Sequence, residues 1–240
     1  MAEPWQKRTA LLMGEEGLAR LAASTVAVIG VGGVGAYAAE MLARSGVGHL
    51  VLLDCDVVSP TDKNRQLLAL DSNMGRVKTD VLRERLTDIN PDIVIDTVAE
   101  YLTEENIPAL LGGFKLDYLV DAIDTLAPKL ALIEYCVKGG IPHVSSMGAG
   151  AKYDATKVRL ADLSKSYNCP LAYIVRKKLR KRGIEKGFNV VFSEELPDRE
   201  AIVEDAGRNK KSQVGTIAYM PAIFGCICAQ AAIAHLKNNY

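Results

Sequence analysis

The string Gly30-Val31-Gly32-Gly33-Val34-Gly35 limits what this chain can fold into more than any other segment. It follows a short β-branched apolar run, Thr25–Gly30 (TVAVIG), and opens a stretch, Gly33–Ser45, whose apolar residues recur at helical spacing. Glycines between a strand and a helix permit a tight turn and let backbone N–H groups approach a phosphate, whose charge the helix N-terminus favours. A glycine string alone says little; here the strand before it, the helix after it and an acid about 20 positions on all agree. That acid is Asp54, closing a second strand, His49–Asp54 (HLVLLD), where a carboxylate can accept hydrogen bonds from ribose hydroxyls. To this point NAD and ATP fit equally well.

Strand and helix signals go on alternating, the pattern of a parallel sheet covered on both faces. Ile93–Val98, Asp117–Ala122 and Pro142–Ser146 read as strands. Val77–Ile89, Thr103–Leu111 and Pro128–Gly139 read as helices. Beyond Gly150 the pattern weakens: Val158–Leu163 and Asn189–Ser193 read as strands flanking a basic helix, Pro170–Lys181, and the polar stretch Glu194–Gln213 reads as mobile. Val214–Leu236 is apolar enough to suggest a membrane span, but Pro221, Gly225, Gln230 and His235 interrupt it, so a buried or dimer-facing helix is expected. The expected fold class is α/β, a Rossmann-like, mainly parallel sheet flanked by helices with a smaller C-terminal α+β extension. Residues 1–150 form the nucleotide-binding part and 151–240 the extension, within one continuous domain.

Lys+Arg and Asp+Glu both total 29, so no global charge draws the chain to DNA, and any attraction to RNA must be local. One such place is Arg176–Arg182, with six cations in seven residues, joined in sequence by Arg208, Lys210 and Lys211. The N-terminal segment carries charges through its apolar run and has no cleavable-signal pattern, so a cytoplasmic protein is expected, with peripheral membrane association of the last helix left open. The five cysteines (Cys55, Cys136, Cys169, Cys226 and Cys228) show no CxxC spacing and suggest neither a disulfide framework nor a four-thiolate zinc site. His49, His143 and His235 are scattered and read as structural.

Polar residues after Asp54 separate the two nucleotides. Asp62, Asn64, Arg65 and Gln66 follow in SPTDKNRQLLALD, and Lys78 stands thirteen positions beyond Arg65. A guanidinium and an ammonium converging on the glycine loop suit a triphosphate, whose charge grows at the leaving group as the α-phosphorus is attacked. A nicotinamide cofactor needs neither. The fourth strand ends in YLVDAIDT, putting Asp121 and Asp124 at the carboxyl edge of the sheet. Asp124, beyond the strand, is the expected Mg²⁺ ligand, with Asp121 either a second ligand or a brace for the loop.

With these residues in place the chain resembles the superfamily of ubiquitin-activating-enzyme-like adenylating proteins. The motifs that carry the resemblance are GVGGVG, then DxD, NRQ, the lysine in RVK and DAIDT, in that order. LARSGVGHLVLLD, IPHVSSMGAG, LADLSKS, KLRKRGI and VVFSEE narrow it to the branch that dehydrates threonylcarbamoyladenosine beside the tRNA anticodon. The resemblance implies that Gly30, Gly32, Gly33 and Gly35 hold phosphates and that Asp54, with Asp56 and Asn64, helps bind ATP. It also implies that Arg65 and Lys78 stabilise the triphosphate, that Asp124 holds magnesium, and that Arg8 enters the partner's site in a homodimer. The implied reaction adenylates the threonyl carboxylate; the carbamoyl group then closes a ring and releases AMP. Implied partners are tRNA and a cysteine desulfurase with its sulfur acceptor. The alternative is activation of a ubiquitin-like sulfur-carrier protein, which the missing zinc cysteines disfavour. Asp62 departs from the asparagine usual in the family, so its carboxylate needs a proton, a metal or another orientation.

Overall fold

A computed structural model describes residues 3–204 and 212–238. Arg208, Lys210 and Lys211 therefore lie outside the described residues. Seven strands form one sheet, in the order β3 (Val94–Val98), β2 (His49–Leu53), β1 (Thr25–Ile29), β4 (Tyr118–Asp121), β5 (His143–Ser146), β7 (Asn189–Ser193), β6 (Val158–Asp162). All pairs are parallel except β6 with β7. The inner strands are short apolar runs with both faces covered, the composition a parallel sheet needs. Val26, Val28, Leu50, Leu52, Leu119 and Val120 are fully buried.

The helices are α1 (Lys7–Ala22), α2 (Gly35–Ser45), α3 (Lys78–Ile89), α4 (Ile107–Leu111), α5 (Leu126–Gly139), α6 (Pro170–Arg180) and α7 (Tyr219–Asn238). The stretch before Ile107, expected to be helical from Thr103, is a capped turn. Thr103 N–H donates to Asn106 Oδ1 at 2.7 Å, and this local alternative competes with the helix. Glu194–Gln213, expected to be mobile, contributes to a ribbon: β8 (Ile202–Glu204) pairs antiparallel with β9 (Ser212–Val214). The ribbon is tied to the loop after β5 through Ala151 N–H to Gly215 O and Asp198 N–H to Ala151 O, both 2.8 Å.

α7 is the one helix among the described residues long and apolar enough to cross a membrane. It packs within the molecule, as expected for a buried helix: Met220, Phe224, Cys228, Ala229, Ala232 and Leu236 are buried. Its small residues permit close approach to α2. A Cβ on Gly225 would stand 2.3 Å from Val34 O, so only glycine fits that crossing.

The sheet order reverses between β1 and β4, each connected outward in opposite directions. Such a switch point opens a crevice at the carboxyl ends of the strands, where ligands bind in open α/β sheets.

Candidate functional site

At the switch point the chain leaves β1 through Gly30, whose φ of +86° is a conformation side chains resist. A Cβ there would also meet Ala122 O at 3.0 Å, so the glycine turn lies against the loop after β4. Gly35, the first residue of α2, is more constrained: a Cβ would fall 1.7 Å from Gly30 O. The turn is thus folded back on itself at the N-terminus of α2, with its amides and the helix dipole facing the crevice.

Asp54, just past β2, accepts the Val31 N–H at 2.7 Å and the Asp56 N–H at 2.8 Å. Its carboxylate therefore fixes the turn and still has lone pairs for a ribose. Burial raises its pKa above the ordinary aspartate value, against the lowering effect of those two amides and of Lys78.

The loop after Asp54 brings two further side chains to the turn. Gln66 lies beside Gly32, 3.6 Å from where its Cβ would be, and Arg65 Cγ lies 3.5 Å from the corresponding point on Gly33. Arg65 is held by Thr61 O at 3.0 Å and Asn64 Oδ1 at 2.9 Å, with its side chain 31% exposed. Asn64 in turn donates to Thr216 O at 3.0 Å, and Pro221 packs on Gly33, so the start of α7 closes this side of the site. Lys78, the first residue of α3, is buried between Asp56 at 3.1 Å and Asp62 at 3.6 Å.

Asp62 takes the third of its open options, a different orientation. It turns inward: Oδ2 accepts the Ser59 N–H at 3.1 Å and Oδ1 the Gln66 amide at 2.7 Å. The carboxylate thus braces Lys78 and its own loop.

Asp121 is a brace as well. It is fully buried, with Oδ2 accepting from Lys129 Nζ at 2.6 Å and Ser145 Oγ at 2.5 Å, and Oδ1 from the Ile123 N–H at 3.0 Å. That last bond shapes the turn whose Ala122 and Ile123 lie against Gly30 and which leads to exposed Asp124. Lys129 was not singled out from sequence; its signal is a lone cation inside the apolar face of LAPKLALIEYC, which folding must pair.

Gly30, Gly32, Gly33 and Gly35 thus meet Asp54, Gln66 and Arg65 at one crevice edge, the charge of Lys78 acts on Asp54, and Asp56, Asn64 and Asp124 follow on the adjoining loops. Arg8 lies apart. Gln6 Nε2 would touch a Cβ on Gly46 at 3.0 Å, so α1 starts at the far end of α2. The 11 residues of α2 put about 16 Å between that end and the glycine turn. Nearby Trp5, Leu11 and Leu12 are 41%, 89% and 82% exposed, a hydrophobic surface that the described residues leave uncovered.

Comparison with known proteins agrees with this fold. The model of the ThiF family matches residues 6–239. The tRNA threonylcarbamoyladenosine dehydratase of Bacillus subtilis is 45% identical over 97% of this chain and 94% of its own. That of Escherichia coli is 39% identical over 81% and 76%. The crystal structure of the Escherichia coli enzyme in complex with ATP superposes with a TM-score of 0.89 at 35% identity, covering 98% of this chain and 96% of that one. The same enzyme has also been solved in complex with AMP.

Proposed function

This chain belongs to the ThiF family, and on that premise we propose that it is an ATP-dependent dehydratase of threonylcarbamoyladenosine in tRNA, acting through a carboxyl-adenylate. The observation that carries the reading is that Arg65 packs on Gly33 of the glycine turn while Lys78, from a separate segment, lends its charge to Asp54, which holds that turn through the Val31 N–H. No CxxC pair accompanies them in the sequence. Positioning and charge stabilisation are what the adenylation step needs.

ATP lies with its phosphates on the amides of Gly30–Gly35 and its ribose on Asp54. The threonyl carboxylate attacks the α-phosphorus and pyrophosphate departs as negative charge builds on it. Arg65 and Lys78 face that charge, and their guanidinium and ammonium are pre-oriented by Thr61, Asn64, Asp56 and Asp62. The adenylate converts an oxide leaving group into AMP. The neighbouring carbamoyl group then closes the ring, and one water is lost in net.

The donor set fits magnesium at Asp124, a hard carboxylate at the crevice edge beside the phosphates, since Mg²⁺ takes one or two carboxylates plus phosphate oxygens. The ion supplies charge neutralisation there. Asp54, Cys55 and Asp56 also bring ligand atoms within 4.8 Å of one another, but a thiol suits magnesium poorly and Asp54 is engaged by two amides.

A homodimer completes the site. Trp5, Leu11 and Leu12 bury against the second copy, and Arg8, remote from its own glycine turn, reaches the partner's phosphates. A tRNA-modifying dimer of this kind works in the cytoplasm.

The test is nucleoside mass spectrometry of tRNA incubated with the protein and ATP, which should show loss of one water together with pyrophosphate release. Thermal protection by ATP but not NAD should accompany it. Pyrophosphate exchange driven by a carrier protein's C-terminal glycine, and not by tRNA, would establish the sulfur-carrier alternative instead.

A further inference from the structure

α6 stands apart from the nucleotide crevice, yet it starts at the same edge of the sheet. Asn168, just before it, donates to Glu194 O at 2.7 Å, immediately past the end of β7. Cys169 Sγ lies 3.8 Å from the Cβ position of Gly148, two residues past β5. The helix then runs toward the amino ends of the strands, its buried side (Ala172, Val175, Leu179) on the sheet.

Its outer side is divided in composition. One turn in, Tyr173 is 58% exposed and Ile174 39% exposed. The Tyr173 hydroxyl has no hydrogen-bond partner among the described residues. An aromatic ring usually buries its face or satisfies its polar end, so an idle, open ring at a site edge is a feature to be explained. The cations follow.

Half of those cations are already engaged. Arg176 binds Ser166, Arg180 pairs with Glu185 at 3.0 Å, and Arg182 pairs with Glu134 and Glu104. Lys177, Lys178 and Lys181 are exposed and have no ion pair among the described residues. Lys177 and Lys181 are four and eight residues from Tyr173, so ring and ammoniums lie along one face over about 12 Å.

We infer that Tyr173 is a stacking platform for an unpaired base near the modified adenosine, while Lys177, Lys178 and Lys181 hold phosphates of the adjoining stem. This rests on the tRNA reading given under Proposed function. The division matches the substrate's chemistry. Unpaired loop bases offer π-faces, which aromatic side chains bind with little regard to sequence, and paired stems offer mainly phosphate and ribose. The ring lies at the carboxyl edge of the sheet, the edge that also carries the crevice, and the cations without an ion pair lead away from it, in the order loop then stem.

The test uses the full-length protein and two synthetic RNAs, an anticodon stem-loop carrying threonylcarbamoyladenosine and a blunt duplex of the same stem. Tyr173→Ala should weaken stem-loop binding about tenfold and raise its KM with kcat preserved, leaving duplex binding and the salt slope as they were. Tyr173→Phe, which keeps the ring, should behave as the unaltered protein. Replacing Lys177, Lys178 and Lys181 together by alanine should weaken both RNAs and flatten the log–log salt slope by about 2–3. Equal losses on stem-loop and duplex in Tyr173→Ala would overturn the stacking role. So would full stem-loop affinity in that variant, which would leave the ring to an acidic protein partner. Pyrophosphate release by the unaltered protein separates the two readings. Release together with an unaffected Tyr173→Ala overturns this inference alone; neither RNA binding nor release overturns both.

Discussion

The ammonium of Lys78 stands 3.6 Å from the carboxylate of Asp62, and the two side chains are only 5% and 9% exposed. The pair gives a family departure a place in the proposed phosphate-binding apparatus: Asp62 orients the lysine that is proposed to meet the triphosphate. Lys78→Ala should stop pyrophosphate release and also strand a buried carboxylate, costing about 3 kcal/mol of stability. Adding Asp62→Asn should recover much of the melting temperature and none of the turnover. Calorimetry beside a pyrophosphate assay distinguishes these, and turnover regained in the double variant would remove Lys78 from the chemistry.

Asp124 is exposed, so Asp124→Ala should change stability by no more than about 0.5 kcal/mol. Its pyrophosphate release with tRNA should nevertheless fall to background at saturating Mg²⁺. A magnesium titration of the unaltered protein and the variant checks this, and normal turnover in the variant would reassign the ion.

Gly35→Ala would push a methyl to 1.7 Å from the Gly30 carbonyl oxygen, a backbone atom that cannot step aside. The cost should exceed the about 1–3 kcal/mol of ordinary overpacking. Denaturant unfolding should show it as a lower midpoint, and ATP should lose its protective shift because the turn must open. An alanine variant with an unchanged midpoint would mean the turn is not this tight.

Acid should destabilise the protein in two windows. Burial lowers the His143 pKa, with its Nδ1 hydrogen-bonded to Ile141 O at 2.9 Å. A base whose folded pKa is depressed binds fewer protons than the unfolded chain, so stability falls as pH drops below about 6.5 and levels off beneath the folded pKa. Glu40 behaves differently: burial raises its pKa, but Arg85 and Arg44 outweigh burial and the net shift is downward. Its stabilising pairs persist above the ordinary glutamate range and are lost as pH falls through the lower folded value. Melting curves from pH 8 downward should therefore show two declines, and Glu40→Gln should shrink only the more acidic one, to which the lowered carboxyls of Glu134, Asp154 and Asp162 also contribute.

Arg8→Ala and Lys78→Ala proteins, each inactive alone, should regain activity when unfolded, mixed and refolded together. Random pairing gives half heterodimers, each with one intact site of two, so about a quarter of full activity is expected. Mixtures that stay inactive would confine each site to its own chain.

The strands were legible because a parallel sheet demands short, continuous β-branched runs, and TVAVI, HLVLL and YLVD can serve little else. The crevice was legible because its glycines, acids and cations recur at intervals in one stretch of chain. Orientation was not. Whether Asp62 faces solvent or Lys78 depends on how the loop after β2 meets the start of α3, and no local pattern carries that. The Asn64–Thr216 contact spans 152 positions and has no sequence signature at all. Asp121 was left open between ligand and brace; the decision lay with Lys129, which becomes its partner only once α5 packs on the sheet.

The fit of α7 on the glycine turn also has a temporal side. Thr216 and Pro221 complete one wall of the crevice, and Gly225 rests on the backbone of Val34. A chain emerging from the ribosome can pair β1 to β5 early, but this wall is synthesised late. ATP would therefore meet a finished pocket only once α7 has been made, and a nascent fragment ending before α7 would neither sequester nucleotide nor be steadied by it.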